Sequence, residues 1–156
     1  MVDWVRFSAP AAVVASIASP AYAVQFLTLA ESQKLSFPGA MDFVSLDARA
    51  WKVASEGKEA GRYIVDHVIG KHLYIDYAVT LDADGRVRRV DILQYREAYG
   101  GEIRDRSWLN QFVGKSSASP LQVGSDIRNI SGATLSCHHL TEGIKRIVNQ
   151  YGKGAR

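Results

Sequence analysis

The chain reads as a single α+β domain in which an antiparallel meander is flanked by helices. Three observations point there. A run of strand-like segments rich in Tyr, Ile and Val occupies the middle of the chain, from Arg62 to Tyr95. A helix with one apolar face closes the chain, its apolar residues recurring as Leu140, Ile144, Ile147, Val148 and Tyr151. The length of 156 residues, with 47% hydrophobic and 22% charged residues, suits one ordinary globular core and leaves no repeat or long linker to divide it.

Taken in order, residues Met1 to Ala23 have the layout of an export signal. Arg6 lies in a short leading region, Ala9 to Ala18 is a modest apolar run, and Ala21-Tyr22-Ala23 ends it with small residues where signal peptidase reads. The run is too short to span a bilayer, and Pro10 and Pro20 argue against one long helix. The expected domains are therefore a signal peptide over 1–23 and a folded domain over 24–156, in an exported, periplasmic or extracytoplasmic protein. Cys137 is the one cysteine, so no intrachain disulfide can form.

Phe26 to Leu35 reads as a short helix closed by Phe37-Pro38-Gly39, and Asp47 to Ala54 as a second, capped by Asp47 with Trp51 facing inward. After a polar turn from Glu56 to Gly61 come the strands Arg62 to Ile69, His72 to Leu81 and Arg86 to Tyr95, the last pair joined through Asp82-Ala83-Asp84-Gly85. Charges and apolar groups alternate along Arg89, Val90, Asp91 and Ile92, as in a strand with one wet face. Asp105 to Val113 reads as a short helix with Trp108, Leu109, Phe112 and Val113 on its inner side. Lys115 to Pro120 is a polar loop, and Leu121 to Ile130 leads to the final helix.

A formal charge of +3, spread among interleaved acids, lacks the clustered basic face that nucleic acid requires. His67 and His72 have no third acid or thiol nearby in sequence to complete a metal site, and no catalytic acid/base pair stands out by spacing. The stretch with chemistry in it is Ser131-Gly132-Ala133-Thr134-Leu135-Ser136, just ahead of the apolar stripe. Small residues let a ligand approach the backbone, hydroxyls offer helix caps, and a helix N-terminus favours a phosphate. Two readings of the following residues compete. Cys137, His138 and His139 could form a reactive or metal-binding group, but neighbours in a helix point about 100° apart, which favours a buried thiol and two surface imidazoles.

Ser131-Gly132-Ala133-Thr134 resembles the S/T-G-A-T signature of FMN-binding domains, found in the peripheral subunits of sodium-pumping NADH:quinone reductases and Rnf-type complexes. The similarity extends to small exported proteins of that family through Tyr95-Arg96-Glu97, Gly100-Gly101-Glu102-Ile103-Arg104, Trp108, Gln111-Phe112-Val113-Gly114-Lys115 and Asp126-Ile127. The resemblance implies FMN as cofactor, with its phosphate esterified to the Thr134 hydroxyl by a flavin transferase. It also implies electron exchange with membrane or periplasmic redox proteins, an electron carrier rather than a stand-alone enzyme, with no catalytic residue and no metal. The expected cofactor residues are Thr134, Ser131, Gly132, Ala133, Leu135, Ser136, Tyr95, Glu97, Asp126 and Asn129. The family often carries an aspartate three residues before the motif's serine; Arg128 stands there in this chain. The rival reading is a non-redox module that binds a ligand or partner and leaves Thr134 unmodified.

Overall fold

The computed structural model describes residues 24–39 and 41–152. The expected signal segment lies outside them. The elements run β1 (Val24–Gln25), α1 (Leu29–Ser36), β2 (Asp42–Asp47), β3 (Ala50–Ser55), β4 (Lys58–Ile69), β5 (Tyr74–Asp82), β6 (Val87–Tyr95), α2 (Arg106–Leu109) and α3 (Thr134–Tyr151), with 3₁₀ turns at Gly101–Arg104 and Asn110–Phe112. The strands form one six-stranded sheet in the order β1-β6-β5-β4-β3-β2. Every neighbouring pair is antiparallel. The α+β fold expected from the strand-rich middle and the apolar final helix is therefore the fold observed, and the meander runs on beyond its expected three strands.

One expected helix is a strand pair. Asp47 to Ala54 falls on the end of β2, a tight turn and β3, where Trp51 pairs with Tyr63 of β4 and Ser45 of β2. Alanines favour a helix there locally, but an aromatic cluster overrides them. Phe43 and Trp51 both pack on the Tyr63 ring, with centroids 6.4 and 6.1 Å away. Such cross-strand aromatic contacts are the unit of sheet stability. The first helix begins three residues later than expected because Thr28 caps it: its hydroxyl accepts from the Glu31 N–H, and Glu31 reaches back to the Thr28 N–H. The helix expected from Asp105 to Val113 divides into α2 and a 3₁₀ turn, and Val113 is exposed rather than inward.

The two faces of the sheet are covered unequally. On one, α3 lays Leu140, Ile144, Ile147 and Val148 against Ile64, Val68, Ile75 and Tyr77, so the expected stripe is buried almost completely. Each such side chain contributes about 1.5–3 kcal/mol on leaving water. The approach is close enough that a Cβ on Gly143 would lie 2.3 Å from the Tyr77 hydroxyl. On the other face Phe37, the residue that closes α1, joins Val53, Tyr63, Ala78 and Leu93, with Leu27 and Met41 from the flanking segments packed against them. A buried carboxylate ties the layers together: Asp91 accepts from Ser32 of α1 at 2.8 Å, from Arg89 at 2.8 Å and from Arg106 of α2 at 2.8 Å. A buried charge is tolerable only when saturated in this way.

This frame puts the N-terminus of α3 beside the β4–β5 turn and the segment after β6. His139 makes the junction. Its Nδ1 lies 2.7 Å from the Ile69 carbonyl and 3.1 Å from that of Gly70, and because carbonyls only accept, Nδ1 carries the proton.

Candidate functional site

The motif is a tight turn feeding a helix. Gly132 adopts φ +86°, the left-handed region where a side chain strains the backbone, and a Cβ there would meet nothing within 4 Å. The glycine thus answers to conformation, not crowding. Ala133, buried, is the N-cap of α3. The first α-helical bond runs from the Cys137 N–H to the Ala133 carbonyl at 2.9 Å, and no side chain caps the helix. The hydroxyls of Thr134 and Ser136 therefore do not serve as the caps their placement suggested, because both residues already lie inside the first turn. The physical result is an open anion site: three first-turn N–H groups without a side-chain partner, at the positive end of an 18-residue helix.

Side chains alternate around that turn by helical phase. Thr134 and Leu135 are exposed, Leu135 to 49%, while Ser136 and Cys137 turn into the core. The Cys137 thiol is fully buried, and burial pushes its pKa up. That is the opposite of a reactive thiolate. Among the described residues no group of three His, Cys, Asp or Glu side chains converges on a metal position.

Across from the motif stands the segment after β6. Together they bound a cleft of about 710 Å³, with Gly132 to Ser136 on one side and Lys71, His72 and Glu97 to Gly100 on the other. That volume falls in the range of about 300–1,000 Å³ typical of cofactor pockets. Tyr99, 87% exposed, stands on the rim. Gly100 lets the walls meet. It adopts φ +82°, and a Cβ there would lie 2.9 Å from the Tyr95 hydroxyl and 3.3 Å from the Ala133 Cβ.

Glu97 builds the far wall. One of its carboxylate oxygens accepts from the backbone N–H groups of Lys71 at 2.6 Å, Leu73 at 2.8 Å and His72 between them. Burial pushes the carboxyl pKa up, but the three donors outweigh it and hold it below the usual range. Tyr95 sits behind this wall. Its ring is buried and its hydroxyl donates to the Tyr99 carbonyl. Burial raises the phenol pKa, opposed in part by the Ser136 hydroxyl. The ring lines a neighbouring cleft of about 660 Å³, shared along Glu97 to Gly100, rather than the one that holds Thr134.

Asn129 and Asp126 part company. The Asn129 Nδ2 donates to the Thr134 Oγ1 at 3.2 Å, which joins the incoming loop to the motif. Asp126 faces away from the cleft and clips its own loop, accepting from the Gln122 N–H at 2.8 Å and the Leu121 N–H at 3.2 Å and pairing with Lys115 at 2.9 Å. Burial pushes its carboxyl up, yet Lys115 and the two N–H donors bring it down to about 2. The expected site residues Ser131, Gly132, Ala133, Thr134, Leu135, Ser136, Glu97 and Asn129 thus gather at one end of the sheet, with Tyr95 one layer behind and Asp126 off the cleft.

Comparison with known families adds an independent observation. A family model described as the FMN-binding domain matches residues 70–149, which is 80 of the 156 residues. The chain belongs to the FMN-binding domain family. No curated protein matches it. The matched span starts at the β4–β5 turn and ends near the close of α3, so it takes in both walls of the Thr134 cleft. The residues fit FMN: open first-turn N–H groups and a helix dipole suit its phosphate, and Tyr99 and Leu135 give apolar surface for a flat ring. Reading the sequence did not assign Lys71, His72 or Tyr99 to the site. The available signals were Gly70, where a Cβ would fall 2.9 Å from the Glu97 Oε1, and the aromatic at Tyr99 beside the Gly100-Gly101 pair.

Proposed function

We propose that the chain is an exported electron-transfer protein that carries FMN as a phosphoester on Thr134, loaded there by a flavin transferase, and relays electrons between membrane or periplasmic redox partners. The observation that carries this reading is the exposed Thr134 hydroxyl at the uncapped N-terminus of α3, facing a cofactor-sized cleft in a chain of the FMN-binding family.

Each wall has a task in this reading. The first-turn N–H groups hold the phosphate, and Gly132 gives the turn that aims them. Glu97 fixes the β4–β5 turn so that Lys71 and His72 border the cleft at a set distance. Tyr99 and Leu135 offer apolar cover that limits water. When bound, the isoalloxazine supplies the redox chemistry, and the protein contributes position and electrostatics. A covalent tether suits a compartment where a released cofactor is lost by dilution.

Export is supported by the layout of residues 1–23. The test is a denaturing gel of the chain coexpressed with a flavin transferase. The expected result is a band that fluoresces as flavin, and no fluorescence from Thr134→Ala. A dark wild-type band would favour the non-redox module instead, and a bright Thr134→Ala band would move the attachment elsewhere.

A further inference from the structure

The loop ahead of the motif is held more tightly than its exposure requires. Arg128 has both backbone groups taken by side chains of one short helical segment. Its N–H donates to the Gln111 Oε1 at 2.8 Å, and its carbonyl accepts from the Trp108 Nε1 at 2.7 Å. The segment that holds it is itself fixed: Trp108 is 4% exposed and packs edge-on against Phe112, with centroids 5.3 Å apart. The Gln111 amide donates back to the Trp108 carbonyl at 3.0 Å, which sets its orientation. On the chain's inner side Ile127 is 1% exposed. Asn129, the next residue after the pinned one, is exposed, and its amide donates to the Thr134 Oγ1 at 3.2 Å.

We infer that Asn129 is a positioning residue for the covalent modification of Thr134, and that Gln111 and Trp108 set it in place by pinning the backbone of Arg128. The inference rests on the reading that Thr134 is the attachment point. Thr134 opens a helix, is exposed, and has no side-chain cap to make, so among the described residues the Asn129 amide is the one side-chain group that restrains its hydroxyl. One donor on that oxygen selects a rotamer and leaves the O–H hydrogen free to depart.

The Thr134 oxygen forms a new ester bond to the phosphorus of an activated flavin nucleotide, a phosphoanhydride presented by the transferase. The anhydride bond breaks, the departing nucleotide phosphate keeps the electron pair, and the hydroxyl proton passes to a base of the transferase or to water. Phosphoryl transfer of this kind asks the acceptor mainly for position, and a fixed hydrogen bond on the attacking oxygen also stabilises the charge it gains as its proton leaves. Beside the motif stand Arg128, a cation, and Asn129, a neutral amide that donates to the attacking oxygen.

The test is a time course of flavin uptake by the purified flavin-free chain with a flavin transferase and its flavin dinucleotide donor, read by intact mass over a range of chain concentrations. Asn129→Ala and Asn129→Asp, the second of nearly the same shape but without the donor, are expected to lower the maximal rate by about tenfold or more, with little change in the concentration for half-maximal rate. Gln111→Leu is expected to slow uptake in the same manner. Thermal melting of the Asn129 variants should match the wild type, because the side chain is exposed. Wild-type rates in Asn129→Ala, or a rate in Asn129→Asp at or above wild type, would overturn the inference while leaving Thr134 as the anchor. A wild-type chain that gains no flavin mass, or a Thr134→Ala chain that still gains it, would bring down the underlying reading and the inference with it.

Discussion

Replacing Asp126 by Asn separates two roles for a residue that the sequence placed at the flavin and the fold places under its loop. The carboxylate clips residues 121–126 and pairs with Lys115 at 2.9 Å, with its side chain 16% exposed. The loop needs a clip, since Leu121 holds φ +46° in a region that disfavours side chains. The carboxyl falls from its ordinary 3.8 to about 2 in the folded chain. A folded pKa below the unfolded one means stability that is present above the unfolded value and lost as pH drops through the folded value. With solvent screening of the Lys115 pair taken into account, the span corresponds to about 1–2 kcal/mol at pH 7, roughly half of that at pH 3, and little at pH 2. Asn is a neutral stand-in for the protonated acid, so Asp126→Asn should cost about 1–2 kcal/mol at neutral pH and progressively less in acid. Urea unfolding at pH 7, 4 and 3 measures this without the screening that guanidinium would add. A stability gap that stays constant from pH 7 to pH 3, or no gap at pH 7, would refute the clip. Flavin uptake by the variant at a temperature where it is folded should equal that of the wild type; its loss there would restore Asp126 to the cofactor.

Two further substitutions probe the frame and the wall. Gly143→Ala would normally favour a helix interior by about 1 kcal/mol, but the new Cβ would lie 2.3 Å from the Tyr77 hydroxyl and 2.9 Å from Val68, so the buried Tyr77 side chain or α3 itself must shift. The expected net loss is about 1–3 kcal/mol in chemical denaturation, and a stabilised variant would contradict the close approach. Glu97→Gln should speed amide exchange at Lys71, His72 and Leu73 by about tenfold, because one charged acceptor for three N–H groups is lost. The Glu97 carboxyl is held below 4.5, so in the wild type the same protection should persist above that pH and fade as pH falls beneath it; unchanged exchange in the variant would dismiss the carboxylate as the anchor of the turn.

How much of this could be read beforehand depends on how local each signal is. The α3 stripe was legible because spacings of four, seven, eight and eleven residues put Leu140, Ile144, Ile147, Val148 and Tyr151 on one side whatever they pack against. The β5–β6 hairpin was legible from its Asp-rich turn before Gly85. The β2–β3 pair was not, since its alanines favour helix and its reason for being a strand, the Tyr63 ring, lies in β4. The site divides along the same line. Gly132, Ala133 and Thr134 could be placed from their own order, as a turn into a helix. The partners that shape the cleft could not, because Glu97 meets its three donors 24 to 26 residues back and Gln111 meets Arg128 across 17 residues. Those contacts exist only once the sheet has brought the ends of β4 and β6 alongside α3.

Whether Thr134 carries the flavin is read from the intact mass of the denatured chain after coexpression with a flavin transferase. The expected result is a gain equal to FMN less one water, on a chain that begins at Val24, and no gain in Thr134→Ala. An unmodified wild-type mass, or a flavin removed by acid or urea alone, would contradict it.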